Sequence, residues 1–237
     1  LGALGCVQFG GRHVLVNQFD PNAMIGWMES EGVDICGGVP TMLIAMLDAF
    51  DRGRRDVSRL RVLMSGGAMV PPELVRRTQK TFGCDFEIVY GQTEASPIVT
   101  QLRRTDALDD KMETAGQALP QTEIYIRDVT ANAVMPIGIT GEICVRGYGV
   151  MLGYNGNPEA TAEAIDVEGW LHTGDLGTLD SRGYLRITGR VKDMIIRGGE
   201  NLFPAEIENV LLEHPAIAEV SVVGVPDAHW GEIAVCL

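Results

Sequence analysis

The sequence predicts an α/β fold: a parallel sheet with covering helices, followed by a small β-rich, barrel-like subdomain and the start of a small α+β C-terminal domain. Three observations carry this. In the first third, short apolar runs alternate with segments of helical period in the order β-α-β-α-β-α-β, which implies parallel strands joined by crossover helices. From about Thr122 the pattern changes to short strands and turns, the habit of antiparallel sheet. After Arg190 it changes again, to a Gly-Gly turn, one helix and two further strands. The corresponding segments are 1–110, 111–190 and 191–237, with a boundary near Val191.

The elements follow in order. His13 to Phe19 reads as a strand. Pro21 opens a helix that Gly32 closes, the proline-in, glycine-out asymmetry of helix ends. Val33 to Cys36 is a short buried strand, and Pro40 begins a helix with Met42, Leu43, Met46, Leu47 and Phe50 on one face. Arg61 to Met64 is a strand, Pro71 and Pro72 start a helix that ends at Gly83, and Phe86 to Val89 is the next strand. The β-rich part offers Glu123 to Val129, Gly141 to Arg146, Leu176 to Leu179 and Tyr184 to Thr188. The last two pair across Asp180-Ser181-Arg182-Gly183, a hairpin loop carrying glycine. Met194 to Ile196 then leads into a Gly-Gly turn, and Pro204 opens a helix with Ile207, Val210 and Leu211 inward. Glu206 and Glu208 lie in its first turn, favourable to the helix dipole. Val220 to Val225 and Ile233 to Leu237 read as strands. A chain that starts at Leu1 and closes on a strand in need of a neighbour reads as a piece lacking both ends.

Bulk properties narrow the function. Among 237 residues, 46% are hydrophobic and 22% charged, an ordinary globular composition. A net charge of −13 repels nucleic acid and anionic lipid. Local charge can oppose that balance: Arg186, Arg190, Lys192 and Arg197 face only Asp193 within one stretch, which is either a solvated basic surface or a site for phosphates. The five cysteines are scattered, with no C-x-x-C, and the four histidines lack metal-ligand spacing. Buried free thiols in the cytoplasm or another reducing compartment are the expectation. No apolar run approaches the ~20 residues of a membrane span, and no signal peptide is visible.

Five polar segments can carry chemistry, each with a plainer alternative. Ligands of parallel α/β folds sit at the carboxyl ends of strands, where Ser65-Gly66-Gly67-Ala68 and Tyr90-Gly91-Gln92-Thr93-Glu94 fall. Paired glycines let a flat ring approach the backbone, though strand-to-helix turns also use glycine for geometry alone. A hydroxyl and a carboxylate at Thr93 and Glu94 can hold a phosphate with its Mg²⁺, or form a polar loop capped by Thr93. In Trp170-Leu171-His172-Thr173-Gly174-Asp175, an acid at a strand start can accept both hydroxyls of a ribose, or make an Asx turn; His172 is read as structural. In Gly189-Arg190-Val191-Lys192-Asp193, Arg190 offers donors for ribose or phosphate oxygens, with Lys192 on the same side of an extended strand; the alternative is a salt bridge to Asp193. Arg197-Gly198-Gly199-Glu200-Asn201 can admit a thin ligand arm, and from spacing alone a tight hairpin loop is the better reading.

Taken together, the order and spacing of these segments resemble the adenylate-forming (AMP-binding) superfamily, which includes acyl-CoA synthetases, luciferases and peptide-synthetase adenylation domains. The resemblance runs through essentially the whole chain. Arg146-Gly147-Tyr148 with Met151-Leu152-Gly153-Tyr154, and the run Lys192 to Pro204, are most similar to the medium-chain fatty acyl-CoA synthetase branch. The resemblance implies that Gly66, Gly67, Ala68, Tyr90 and Gly91 border an adenine. It implies that Thr93 touches phosphates, Glu94 binds Mg²⁺, and Asp175 holds the ribose hydroxyls with help from Arg190. Lys192 becomes the hinge of the small domain, and Gly198 and Gly199 line a pantetheine tunnel. The implied activity is ATP-dependent activation of a fatty, medium-chain carboxylic acid to acyl-AMP, then transfer to coenzyme A. The alternatives are an acyl-AMP ligase and a non-catalytic nucleotide-binding fragment.

Two family parts have no counterpart in this sequence: a Gly/Ser/Thr-rich phosphate loop with its lysine, expected upstream, and a catalytic lysine expected beyond Leu237. The segment Asp227 to Glu232 matches the one that precedes that lysine. The chain by itself is therefore expected to be inactive, the activity belonging to its parent. Val39 to Met42 and Ala95 to Ile98, small or apolar, are expected to shape the acyl pocket, and no buried acid awaits an ammonium. A dehydrogenase of the Rossmann type is disfavoured, since no G-x-G-x-x-G follows the first strand.

Overall fold

The computed structural model describes every residue except Leu1, Gly53, Arg54, Glu213, Pro215, Ala218 and Glu219. The chain forms two compact units, Leu1–Ile88 and Val89–Leu237.

The first unit opens with α1 (Gly2–Gln8). The expected strand at His13 to Phe19 is absent; those residues are irregular, because no strand among the described residues lies alongside to pair with them. α2 (Pro21–Ser30) starts at Asp20, whose side chain accepts from the Ala23 amide at 2.7 Å, satisfying one of the orphan donors of a helix start. β1 (Ile35–Gly37) pairs in parallel with β2 (Val62–Gly66). Between them, α3 (Pro40–Arg52) buries Leu43, Met46 and Leu47 completely. α4 (Pro72–Phe82) follows β2, burying Leu74, Val75, Thr78 and Phe82 and ending at Gly83 in the left-handed conformation. It leads to β3 (Asp85–Tyr90), next to β2 in the sheet.

In the second unit, the end of β3 pairs antiparallel with β4 (Thr100–Gln101), through Tyr90 opposite Thr100. After α5 (Leu108–Glu113), β5 (Gln117–Ala118) extends that ladder. β6 (Thr122–Arg127), β7 (Gly141–Gly147), β8 (Leu171–Leu179) and β9 (Leu185–Arg190) then form a four-stranded antiparallel sheet in chain order. A short helix without an apolar face, α6 (Pro158–Ala164), is inserted before β8. Trp170 anchors this sheet: it is buried, stacks on Tyr125 at 4.6 Å, and lies under the Arg146 and Arg127 guanidinium groups. Arg127, itself buried, pairs with Asp166 and Glu168 at 3.2 and 3.1 Å. A buried charge without partners would be strongly destabilising, so this triad is needed once Arg127 is enclosed.

The remainder is α+β. β10 (Ile195–Arg197) and β11 (Glu200–Leu202) form a hairpin, α7 (Pro204–Leu212) follows, and β12 (Val222–Asp227) and β13 (Gly231–Cys236) complete a sheet in the order β11-β10-β13-β12. Val210 does not face inward as the helical pattern predicts; it is 67% exposed. The expectation of uniformly buried thiols holds for Cys36, Cys84 and Cys144, whereas Cys6 is half-buried and Cys236 exposed. Among the described residues no helix is long and apolar enough to cross a membrane.

Candidate functional site

Asp175 stands inside β8, not at a strand start, because the buried Leu171 pairs with Val145 and begins the ladder earlier. Its neighbour across the sheet is set by an irregularity. The β8–β9 register passes from Gly177 opposite Ile187 to Leu176 opposite Gly189, leaving Thr188 as an extra residue. Such a bulge advances one strand by a residue, and here it brings Arg190 opposite Asp175.

Both oxygens of Asp175 are engaged. The Tyr90 hydroxyl donates to Oδ2 at 2.9 Å, and the Arg190 Nε stands 3.4 Å from Oδ1. Burial pushes the Asp175 carboxyl above the usual aspartate range, while the Tyr90 bond and the Arg190 charge pull it partly back. Tyr90 is buried at the end of β3; burial and the adjacent carboxylate push its phenol far up, so its hydroxyl remains a proton donor. The Arg190 side chain is 59% exposed, so its ion pair adds little stability and its free N–H groups face solvent.

β7 fixes the Thr173-Gly174-Asp175 backbone. The Gly174 amide donates to Glu142 Oε1 at 3.0 Å, the Thr173 hydroxyl donates to the Ile143 carbonyl at 2.7 Å, and the Asp175 amide donates to Thr173 Oγ1 at 3.1 Å. Glu142 Oε2 lies 2.8 Å from His172 Nδ1, and Cys144 Sγ lies 3.6 Å from the same nitrogen. Glu142, Cys144 and His172 bring their ligand atoms within 4.8 Å of one another. Both Glu142 oxygens are already occupied, and burial pushes the Cys144 thiol up to about 12. The cluster therefore reads as an anchor for the loop, and His172 has the structural role expected of it.

Tyr90 leads directly into the second acid. Gly91 passes so close to Pro97 that a Cβ there would lie 2.0 Å from its carbonyl oxygen, so only glycine fits. Thr93–Ala95 make one 3₁₀ turn. Thr93 is exposed and Glu94 half-buried. Glu94 Oε1 accepts from the Tyr154 hydroxyl at 2.9 Å, and the Glu94 carbonyl accepts from the Met151 amide at 2.8 Å. A carboxylate with one oxygen held and a hydroxyl one residue away is the oxygen-donor chemistry that Mg²⁺ takes alongside phosphates, so these residues fit that ion.

The other predicted positions fall elsewhere. In the first unit, Gly66 ends β2, Gly67 turns the chain in the left-handed region (φ 77°), and Ala68 is exposed. The preceding Ser65 hydroxyl is buried with no hydrogen-bond partner. Lys192 does not continue an extended strand beside Arg190: Val191–Asp193 form a 3₁₀ turn, so the two-residue alternation of a strand does not apply. Gly198 and Gly199 are the left-handed turn of the β10–β11 hairpin (φ 59° and 88°). A Cβ on Gly198 would lie 2.8 Å from the Trp230 ring, over which Arg197 sits at 4.3 Å. The basic stretch is otherwise neutralised locally, Arg186 by Glu113 and Arg190 by Asp175, not by Asp193. Thus Tyr90, Asp175 and Arg190 come into contact, with Gly91 to Glu94 adjoining. Glu142 and Tyr154 were not foreseen; only the pairing of β7 with β8 and the fold of the 147–157 loop reveal them.

An α/β unit followed by an antiparallel sheet, with polar residues after the end of β3 and within β8, is an arrangement shared with adenylate-forming enzymes. Residues 1–155 match the AMP-binding enzyme family and residues 206–237 the AMP-binding enzyme C-terminal domain, and the chain belongs to that family. Its relatives include YngI of Bacillus subtilis (strain 168), named as an acyl-CoA synthetase, 47% identical over 235 residues that cover 99% of this chain and 43% of YngI. The mitochondrial medium-chain acyl-CoA ligase ACSF2 of Homo sapiens is 37% identical over 239 residues, covering 100% of this chain and 39% of its own length. Among solved structures, ATP-bound MatB from Rhodopseudomonas palustris superposes with a TM-score of 0.89 at 30% identity, over 99% of this chain and 46% of MatB. The chain thus spans less than half the length of the curated relatives it matches.

Proposed function

We propose that the protein containing this chain activates a carboxylic acid with ATP and passes the acyl group to coenzyme A. The observation that carries the proposal is Asp175, a carboxylate held on both oxygens by Tyr90 and Arg190 at the head of the Gly91 to Glu94 segment. In the first step the substrate carboxylate attacks the α-phosphorus and pyrophosphate leaves. In the second the thiol sulfur of coenzyme A attacks the acyl carbon and AMP leaves, the thiol proton passing to solvent. No protein nucleophile is needed; rate comes from positioning and charge neutralisation. Mg²⁺, held through Glu94 and the phosphates, would supply neutralisation of developing phosphate charge.

The chain's own residues do the rest. Asp175 accepts the two ribose hydroxyls and Arg190 donates beside it. Gly66, Gly67, Ala68, Tyr90 and Gly91 border the adenine, and Thr93 meets the phosphates. Lys192 is the hinge of a small domain beginning near Val191, and Gly198 and Gly199 line the pantetheine path. A fatty, medium-chain acid is the proposed substrate. Its support is the name of the human relative. The free cysteines fit a reducing compartment.

The test is a full-length preparation supplied with ATP, Mg²⁺, coenzyme A and acids of graded length. Acid-dependent pyrophosphate release with a matching yield of thioester is expected, highest for medium chains. Acyl-AMP without thioester would reassign the protein as an acyl-AMP ligase; no pyrophosphate with any acid would reduce it to a nucleotide-binding protein.

A further inference from the structure

We propose that Tyr154 is a positioning residue that fixes the Glu94 carboxylate for the divalent cation accompanying the nucleotide. The inference rests on the reading of Glu94 given above. Its basis is the 2.9 Å hydrogen bond from the Tyr154 hydroxyl to Glu94 Oε1, joining residues sixty apart in sequence. Both ends of this bond are tied down independently. On the Glu94 side, the Met151 amide holds the Glu94 carbonyl at 2.8 Å. Gly149 also packs so tightly that a Cβ would lie 2.8 Å from the Ala95 carbonyl oxygen.

On the Tyr154 side, the backbone amide donates to Thr161 Oγ1 at 2.9 Å, and that hydroxyl donates to the Asn157 carbonyl at 2.8 Å. Asn157 caps α6 by accepting from the Ala160 amide at 3.0 Å. The phenol therefore approaches Glu94 from a loop stapled to a helix start, not as a free surface side chain, although Tyr154 is 40% exposed.

The chemistry follows from the donor. A phenol that donates to Oε1 occupies one of the two carboxylate oxygens, leaving Oε2 to meet a cation from one direction. Mg²⁺ requires near-ideal octahedral geometry and usually takes one or two carboxylates plus phosphates, while Ca²⁺ also accepts two-oxygen chelation. Holding Oε1 thus orients Glu94 and favours the smaller ion. Without the phenol, the carboxylate rotates freely and can chelate.

The test compares Tyr154→Phe and Glu94→Gln with the unaltered full-length protein. Binding of Mn²⁺ in the presence of ATP is followed by the electron paramagnetic resonance of free Mn²⁺, and AMP binding without metal by calorimetry. The Phe variant is expected to bind Mn²⁺ roughly 3- to 10-fold more weakly, the loss of one charge-assisted hydrogen bond. Its melting temperature and metal-free AMP affinity should be unchanged, and the half-saturating Mg²⁺ for pyrophosphate release should rise in step. If Glu94→Gln weakens Mn²⁺ binding and Tyr154→Phe does not, the positioning role is overturned while the reading of Glu94 stands. If Glu94→Gln also leaves Mn²⁺ binding intact, the reading of Glu94 itself is overturned. A Phe variant that loses AMP affinity or thermal stability to the same extent shows a structural role instead.

Discussion

Asp175 and Glu94 are acids from the two polar segments that Tyr90 joins, and the protein treats them in opposite ways. Asp175 is drawn into a sheet, engaged on both oxygens and raised in pKa by burial. Glu94 sits on a one-turn loop with one oxygen held by Tyr154. A half-buried carboxylate with fixed oxygens suits neutral hydroxyl donors, which need direction more than charge. A carboxylate with only one oxygen held suits a hydrated cation, which needs charge and room for water. The number of oxygens held thus distinguishes two chemically similar side chains and suits each to the task proposed for it.

The largest effect that sharpens this contrast is on nucleotide affinity. Asp175→Ala is expected to weaken AMP binding by about 100-fold, the loss of two charge-assisted hydrogen bonds. Glu94→Ala should change metal-free AMP affinity by less than about 3-fold. Calorimetric titration of both variants decides it, and equal losses would erase the distinction. A smaller effect is expected of Tyr90→Phe, which removes the donor at Oδ2. AMP affinity should fall by roughly 3- to 10-fold. Because the Tyr90 bond lowers the Asp175 pKa, its loss should also move the acid limb of AMP binding to higher pH.

The smallest is on stability. The folded pKa of Asp175 is raised above its ordinary value of 3.8, so its contribution to stability is present below that value and lost as pH rises through the folded pKa. Asp175→Asn avoids that loss and keeps an acceptor for Tyr90. Its melting temperature should exceed that of the unaltered protein by about 1–3 °C at pH 7, the difference vanishing near pH 3. A lower melting temperature at pH 7 would mean that the carboxylate is a structural asset, not a tolerated cost of binding.

Much of the fold was legible because proline and glycine punctuate it: Pro21, Pro40, Pro72 and Pro204 each stand at the first position of a helix, and Gly83 caps one in the left-handed conformation. The failures have physical causes. His13 to Phe19 has the composition of a strand but pairs with none among the described residues, and strand character is a property of pairs. α6 was missed because none of its residues is buried, so no apolar period marks it. Asp175, Arg190, Tyr90 and Glu94 could be nominated from local motifs, yet nothing local showed that Tyr90 would hold Asp175 across 85 positions, or that Tyr154 would hold Glu94. Glu142 stayed hidden for the same reason: its value lies in the Gly174 amide on the adjacent strand.

The extra residue at Thr188 sets the bend and twist beside the Asp175–Arg190 pair more than the pairing itself. Removing that one residue would restore regular two-by-two pairing with Gly189 still opposite Leu176 and Arg190 still opposite Asp175, while taking away the local bend and twist that a bulge adds. Exchanging Thr188 for another small residue would leave the count intact. Deletion should therefore change the aim of the Arg190 side chain without changing its cross-strand neighbour, and substitution should change neither.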